Sequence, residues 1–467
     1  MLISSLRPSF AAAVLCLVGP GCASVSPAPA FRETAGLVEA RTGRRIQWQR
    51  AGDGDEAVGR RVRDLLTGRL GVEDAVAVAL LKNPGLRATY EDLSIAQADL
   101  VQAGLLRNPG LGGGLLVPLA GDASIGGSVS VSEDFLGVFL LAARKRIAGA
   151  RLRATELRVA DAVLRLAHDV EAAFYALAAA EQVTALRRTF ADAADAALDL
   201  ARRQRDAGNV SELDVVNQDA ATAQAQADLA KSEVELVDAR ESLTRLLGVW
   251  GADAAYGIDD ELRPPPESEA APEGIEARAV RRRLDLAAAR EDTRAAARAL
   301  GLTKATRWLG DVAVGGTFER APERYTAVGP TLDLELPLFD QKQAVVARLV
   351  AELRASEARE EALAVAVRSE VRAAQARVES MRGIVERYVR VLVPLRERAL
   401  VLSQEQYNAM LVGAYQLLQA KQSEVTSRRE LIEAIRDYWI ARAELERAIG
   451  GFSPESSPTD KEAGVRR

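Results

Sequence analysis

The chain has 467 residues and a formal net charge of -5, with 48% hydrophobic but only 4% aromatic residues. Ala, Leu and Val therefore carry most of the apolar share, a mix suited to long, closely packed helices, and no clustered basic face marks a nucleic-acid binder. Two cysteines, Cys16 and Cys22, and one histidine, His168, exclude a disulfide framework and a Cys/His metal site. The three methionines, Met1, Met381 and Met410, exclude a Met-rich metal relay.

Residues 1–21 read as a signal peptide. Arg7 supplies a positive start, and the apolar run 10–18 is too short to span a bilayer. Gly19 and Gly21 lead to Cys22. This resembles a lipoprotein signal, in which the cysteine is acylated, although Gly19 stands where such signals usually have Leu. A plain secretory cleavage nearby is the alternative. Ala23, after the cysteine, resembles sorting to the outer membrane. Past the leader there is no stretch of ~20 apolar residues, so a chain crossing a membrane would have to do so as a closed β-barrel.

Residues 22–71, with Pro27, Pro29 and scattered charges, are expected to be an irregular lead-in. From Val72 the pattern turns helical, with Ala75, Val78, Ala79 and Leu81 on one face. The helix should pause at Asn83-Pro84, because a residue before proline avoids the helical region. It should resume to Leu106 and end at Asn108-Pro109-Gly110. Strands are expected at 111–119, rich in glycine, and at Ser128-Val129-Ser130-Val131-Ser132, which alternates with period two; 120–123 supplies the turn. A helix of roughly 70 residues, ~105 Å long, follows to about Asp206. Its length suits a coiled coil or helical tube rather than a globular domain. A break at 207–210 leads to a second long helix ending near Leu247.

The segment 251–274 holds Pro264, Pro265, Pro266 and many acidic residues, and reads as a linker. The programme then repeats: a helix from Ile275 to about Leu300, strands at 311–317 and 326–336, a long helix from about Gln341 to Met410, a small-residue break at 412–414, and a last helix to about Ile449. Residues 451–467 are expected to be a disordered tail. The period is roughly 200 residues, with Leu86 matching Leu286 and Val215-Val216 matching Leu417-Leu418. Units of 72–250 and 275–450 thus form a duplicated helix–strand–strand–helix–helix fold, mainly α with a small β part.

The strands indicate what the duplication builds. Leu332, Leu334 and Leu336 alternate with Thr331, Asp333 and Glu335. Burying a carboxylate face in a core is costly, whereas a wall with lipid on one side and water on the other accommodates it. About four strands per chain are too few to close a pore, and open edges are not tolerated in lipid. Three copies would give about 12 strands. The charged helix face at Arg202, Arg203, Arg205 and Asp206 reads as a solvated surface, and both helical breaks should lie at the end remote from the strands.

Three stretches carry a family likeness. Residues 207–217, Ala-Gly-Asn-Val-Ser-Glu-Leu-Asp-Val-Val-Asn, resemble the first hairpin tip of TolC-like outer-membrane efflux factors. Residues 331–340, Thr-Leu-Asp-Leu-Glu-Leu-Pro-Leu-Phe-Asp, resemble their strand-to-helix turn, and 407–450 their last helical hairpin. The likeness covers most of the chain from Val72 to Gly450. It implies a homotrimer with a 12-stranded outer-membrane β-barrel continuing into a long periplasmic α-helical barrel. The chain would be the exit duct of a tripartite efflux system in a Gram-negative bacterium, with most of its mass in the periplasm. Its partners would be a periplasmic adaptor (membrane fusion protein), an inner-membrane efflux pump and outer-membrane lipid.

By position, Gly208, Asn209 and Val210 resemble the adaptor-contacting tip of the first repeat, and Met410 to Gly413 hold that place in the second. There Met410 falls on the tip glycine and Gly413 comes three residues late. Relatives close the periplasmic end with tyrosine and aspartate side chains. Tyr407 matches the tyrosine, while Gln416 and Gln419 stand where carboxylates often lie. A ring of amides lacks mutual repulsion, so a divalent cation should plug it less tightly; the alternative is ordinary helix-surface glutamines. Asp333 and Glu335 would face the lumen. The turn at 336–343 is similar to one common in heavy-metal efflux members, which together with the acidic face leans the cargo towards metal cations; drug or solvent export stays open. Pro337 and Phe339 should simply set the turn, and His168 should lie on a helix surface.

A periplasmic coiled-coil scaffold or adaptor without a pore would explain the helices but not the repeated carboxylate strands. No phosphate loop, Ser/His/Asp set, catalytic residue or cofactor site can be assembled from this inventory, so the chain does not read as an enzyme.

Overall fold

The computed structural model describes residues 25–48, 55–117, 119, 125–259, 261–266, 274–321 and 325–451. The expected signal peptide, Cys22 and the tail beyond Gly451 lie outside these residues, as does most of the first strand turn.

The lead-in is not irregular. It holds α1 (Ala28–Thr42), α2 (Asp55–Leu66) and β1 (Arg69–Leu70). Proline is tolerated in the first turn of a helix, so Pro27 and Pro29 open α1 instead of breaking it. Phe31 and Trp48 pack against Tyr90 at ring-centroid distances of 5.4 and 6.0 Å. Val38 and Val62 are fully buried. The lead-in is thus stapled to the first repeat by aromatic and aliphatic burial.

The first repeat comprises α3 (Val72–Lys82), α4 (Pro84–Ala103), β2 (Gly110–Leu116), β3 (Gly126–Asp134), α5 (Phe135–Asp206) and α6 (Glu212–Leu247). The break at Asn83 is as expected. Its side-chain oxygen accepts the Leu86 N–H at 2.9 Å and its amide donates to the Leu246 carbonyl at 2.9 Å. The α5 helix has 72 residues, about 108 Å at 1.5 Å per residue.

The linker begins with structure. After a 3₁₀ turn at Gly251–Ala254, β4 (Gly257–Ile258) pairs parallel with β1. Tyr256 and Ile258 are buried, and Trp439 Nε1 donates to the Arg263 carbonyl at 2.7 Å. The prolines masked these alternate apolar anchors. Residues 267–273 fall outside the described ones.

The second repeat comprises α7 (Ile275–Arg282), α8 (Leu284–Thr306), β5 (Val312–Arg320), β6 (Thr326–Leu334), α9 (Gln343–Arg387), α10 (Val393–Asn408) and α11 (Ala414–Ile449). Two expectations need correction. The first helix is interrupted at Arg283, although no proline stands there. The φ, ψ of Arg283, -59° and 124°, match the -60° and 118° of Asn83. The long helix is also interrupted, by a π turn at Tyr388–Leu392. Pro394 lacks an N–H and its ring would press on the carbonyl four residues back. The widened turn relieves this, with the Val393 N–H reaching back to the Tyr388 carbonyl.

The duplication is visible in backbone conformation. Gly248 and Gly450, 202 residues apart, both have left-handed φ, 70° and 91°. A Cβ on Gly248 would stand 2.8 Å from the Lys82 carbonyl and 2.8 Å from the Pro84 ring. A Cβ on Gly450 would stand 2.9 Å from the Arg282 carbonyl carbon and 3.0 Å from the Arg283 nitrogen. Each glycine therefore lets the end of a repeat's last helix close onto the break in its first.

The largest core cluster lies midway along the bundle, where α1, α3 and α4 wrap the middle of α5 and Leu284 and Ala288 join from the second repeat. His168 is half-buried there, not on the surface, because α11 packs against this stretch of α5. Two half-buried carboxylates, Glu171 of α5 and Glu446 of α11, repel each other between the same two helices. Glu446 is pushed up to about 7 by burial and by repulsion from Glu171. Burial also raises Glu171, despite Arg44 at 3.4 Å.

Candidate functional site

The four long strands form one antiparallel sheet in the order β2-β3-β5-β6, with β2 and β6 at free edges. Directly paired residues point to the same face, so the register sorts every side chain. One face carries Leu111, Leu115, Val129, Val131, Val314, Phe318, Val328, Leu332 and Leu334, with Glu133 opposite Val314 near the base and Arg320 at the far rim. Its apolar residues are largely exposed, Leu115 by 81% and Val328 by 76%. The other face carries Gly110, Gly112, Gly114, Ser128, Ser130, Ser132, Thr317 and Thr331, with the carboxylates of Asp134, Glu319 and Asp333. The alternation anticipated for β6 therefore extends across all four strands.

Asp134 and Asp333 lie in one row, both opposite Ala313. Just below, the Glu335 N–H donates to the Asp311 carbonyl at 3.0 Å, which carries the ladder down one step and puts both carboxylates on the polar face. The base of the sheet thus bears Asp134, Asp311, Asp333 and Glu335. One cation opposes them, Arg107, at 3.7 Å from Asp134. Asp134 and Asp311 escaped the sequence reading because their face depends on strand register.

At the far end, both helical hairpins turn with one geometry. Gly208 has φ 77° and Met410 φ 58°. The Gly208 N–H donates to the Arg205 carbonyl and that of Asn209 to Gln204, each at 2.8 Å. The Met410 N–H donates to Tyr407 and that of Leu411 to Gln406, each at 2.9 Å. Met410 therefore occupies the glycine position of the first tip, at an offset of 202. Gly413 matches Ser211, the residue that caps α6.

The caps differ. Ser211 Oγ accepts the Asp214 N–H at 3.2 Å, and Asp214 accepts from Ser211 in return, which holds its carboxyl below the usual range. Gly413 has no side chain, so only the return arm exists: its N–H donates to Gln416 Oε1 at 2.6 Å. Gln419 Nε2 donates to the Tyr415 hydroxyl at 2.8 Å. Tyr407 is half-exposed in the last turn of α10, and among the described residues its hydroxyl bonds neither glutamine. Val210 packs on Leu198, Ala201 and Val215. Met410 is 94% exposed.

Among the described residues, no group of three His, Cys, Asp or Glu could hold a metal ion, and no helix is long and apolar enough to cross a membrane.

Residues 75–249, the first repeat, match the family model described as outer membrane efflux protein. A membrane protein from Pseudomonas aeruginosa superposes with a TM-score of 0.68 at 22% identity, over 81% of this chain and 93% of that one. The Campylobacter jejuni CmeC outer membrane channel gives 0.72 at 15% identity, over 84% and 88%. The outer membrane protein VceC of Vibrio cholerae gives 0.66 at 18%, over 81% and 96%. The first repeat is thus similar to the outer membrane efflux proteins in sequence, and the chain shares the fold of these outer-membrane channels. No curated protein matches it in sequence. The family that this repeat matches is one of transport channels. The fold is shared with these structures over most of the chain: mainly helical, duplicated, with a small sheet at one end.

Proposed function

We propose that this chain is the outer-membrane exit duct of a tripartite efflux system, a passive trimeric channel with no chemistry of its own. The two-faced sheet with two free edges carries this reading. An apolar face exposed across four strands suits lipid, and a glycine- and serine-lined face leaves room for water. Free edges cannot remain unpaired in a bilayer, so β6 of one copy would pair with β2 of the next. Three copies would close about 12 strands. Two further features support the ring. A groove of about 1040 Å³ between α4, α5 and α8 stands open in one chain, where α9 of the neighbouring copy would hang beside α4. Helix α10 buries no residue within its own chain, although Leu395, Val401 and Leu402 are apolar and exposed.

In this reading the tips at Gly208, Asn209, Val210, Met410 and Gly413 meet the periplasmic adaptor, which links the duct to an inner-membrane pump. Tyr407, Gln416 and Gln419 form the periplasmic constriction. Cys22 anchors the mature chain to the outer membrane through an acyl group, on the strength of the sequence alone. Asp134, Asp311, Asp333 and Glu335 give the lumen a negative base that favours cations, consistent with metal-cation cargo. Single-channel recording tests this. The trimer should conduct with cation preference, and D134N/D311N/D333N/E335Q should remove most of that preference while conductance persists. Anion preference in the wild type, or a selectivity indifferent to the four changes, would reject the proposed lumen.

A further inference from the structure

Of the four segments that run to the base of the sheet, residues 100–110, 135–155 and 293–310 contain no aspartate or glutamate, while the fourth, 335–355, holds Glu335, Asp340 and Glu352. The charges of the first three are all basic, at Arg107, Arg144, Lys145, Arg146, Arg151, Arg153, Arg294, Arg298, Lys304 and Arg307, in a chain whose net charge is -5. Helices α5 and α8 lie side by side in opposite directions. Arg298 donates to the Arg146 carbonyl at 3.3 Å, and Arg158 meets Asp292 at 2.7 Å. This pairing brings the start of α5 and the end of α8 to one level. Among the described residues no carboxylate pairs with Lys145, Arg146, Lys304 or Arg307, and Lys145, Arg146 and Lys304 are exposed.

An apolar collar lies between these cations and the sheet. Each strand–helix junction presents it: Leu106 before β2, Phe135 and Phe139 after β3, Trp308 before β5, and Phe339 after β6, the last 93% exposed. Arg307 stacks over the Trp308 ring at 4.5 Å, so collar and belt meet in one contact. Lys145, Arg146 and Lys304 sit about 5–15 Å below the collar at 1.5 Å per helical residue, the depth of a headgroup layer and its near field.

We propose that this belt binds the anionic phospholipid headgroups of the leaflet on the helix side, with the collar set in the acyl region above. The inference rests on the reading that the sheet spans the membrane. Arg107, Arg153 and Arg294 pair with Asp134, Glu156 and Glu291 and are structural, whereas Lys145, Arg146, Lys304 and Arg307, which form the belt, have no carboxylate partner among the described residues. Arginine and tryptophan at a junction between apolar surface and solvent are also what an interface favours.

The test uses the full-length protein extracted as its assembled species in a neutral detergent. Thermal unfolding is followed with added phosphatidylglycerol or phosphatidylcholine. Phosphatidylglycerol should raise the midpoint at least a few degrees more than phosphatidylcholine does. K145Q/R146Q/K304Q/R307Q should lose most of that excess while native mass and conductance persist. R202Q/R203Q/R205Q, at the other end of α5, should keep it. If the first variant fails to assemble, high salt on the wild-type protein should abolish the excess instead. Equal response to both lipids, an unchanged response in the variant, or an excess indifferent to salt would overturn the belt. An assembled, conducting protein with no lipid preference sinks only this inference; a chain that never enters the membrane fraction sinks the duct as well.

Discussion

Each repeat closes the end of its last helix onto the break in its first, at Gly248 on Asn83 and at Gly450 on Arg283. The backbone there is nearly the same, and the side chains that hold it are not. In the first repeat Asn83 satisfies the free groups with two neutral hydrogen bonds. In the second, Arg283, only 6% exposed, bridges Asp285 at 2.5 Å and Glu370 at 2.7 Å. Burial pulls the Arg283 guanidinium down, but Asp285 and Glu370 outweigh it and hold it charged, while Arg283 keeps Asp285 below its ordinary value against its own burial. One geometry is therefore reached by a local cap in one copy and by a buried ion bridge to α9 in the other.

The contrast can be broken most forcefully at Arg283. R283A should cost about 2–4 kcal/mol, since it strands Asp285; the half-exposed Glu370 contributes little because solvent screens it. N83A removes a cap and an amide donor and should cost about 1–2 kcal/mol. Unfolding midpoints of the two variants measure the difference. Acid sharpens it. The folded value of Asp285 is depressed, so its stabilising effect is present above the ordinary carboxylate value and is lost as pH falls through the folded one. The second break should loosen in acid while the first does not. Hydrogen exchange near 282–286 and 82–86 would show equal loosening if this is wrong.

G248A and G450A should each cost about 2–3 kcal/mol, through a left-handed φ and a Cβ pressed on backbone. Similar losses would confirm that the closure is shared; a neutral result at one would mean that repeat does not depend on it.

At mid-bundle, Glu446 is raised to about 7 from 4.5. A raised carboxylate has its full stability below the unfolded value and loses it as pH rises through the folded one. Stability should therefore fall between about pH 4.5 and 7, by on the order of 1–3 kcal/mol. E446Q should flatten that slope, and a parallel pH profile in the variant would count against the half-buried pair.

The smallest expected effect is at the tips. M410G should stabilise by roughly 0.5–1 kcal/mol and G208M destabilise by a similar amount, because only glycine adopts left-handed φ without strain. Opposite signs are the result to look for.

What could be read in the residues follows from where the information lies. The 72-residue helix, the tips and the 202-residue register came through because glycine, apolar spacing and length are local signals. The lead-in helices did not, because their anchors, Phe31, Val38 and Trp48, are buried against the distant first repeat, on α4 and α5. The break at Arg283 has no proline to announce it and is held by Glu370, which lies 87 residues along the chain. Pro394 stood in plain view, yet it bends a helix that a π turn allows to continue. The acidic base was half legible: alternation gave Asp333 and Glu335, but Asp134 and Asp311 join them only through pairing across strands.

The central claim is that four two-faced strands close a pore only when copies share a barrel. The native mass of the protein extracted in detergent from an outer-membrane fraction tests it most directly. A species of three chain masses is the expected result. A monomer, or a chain found only in the soluble periplasm, would contradict it.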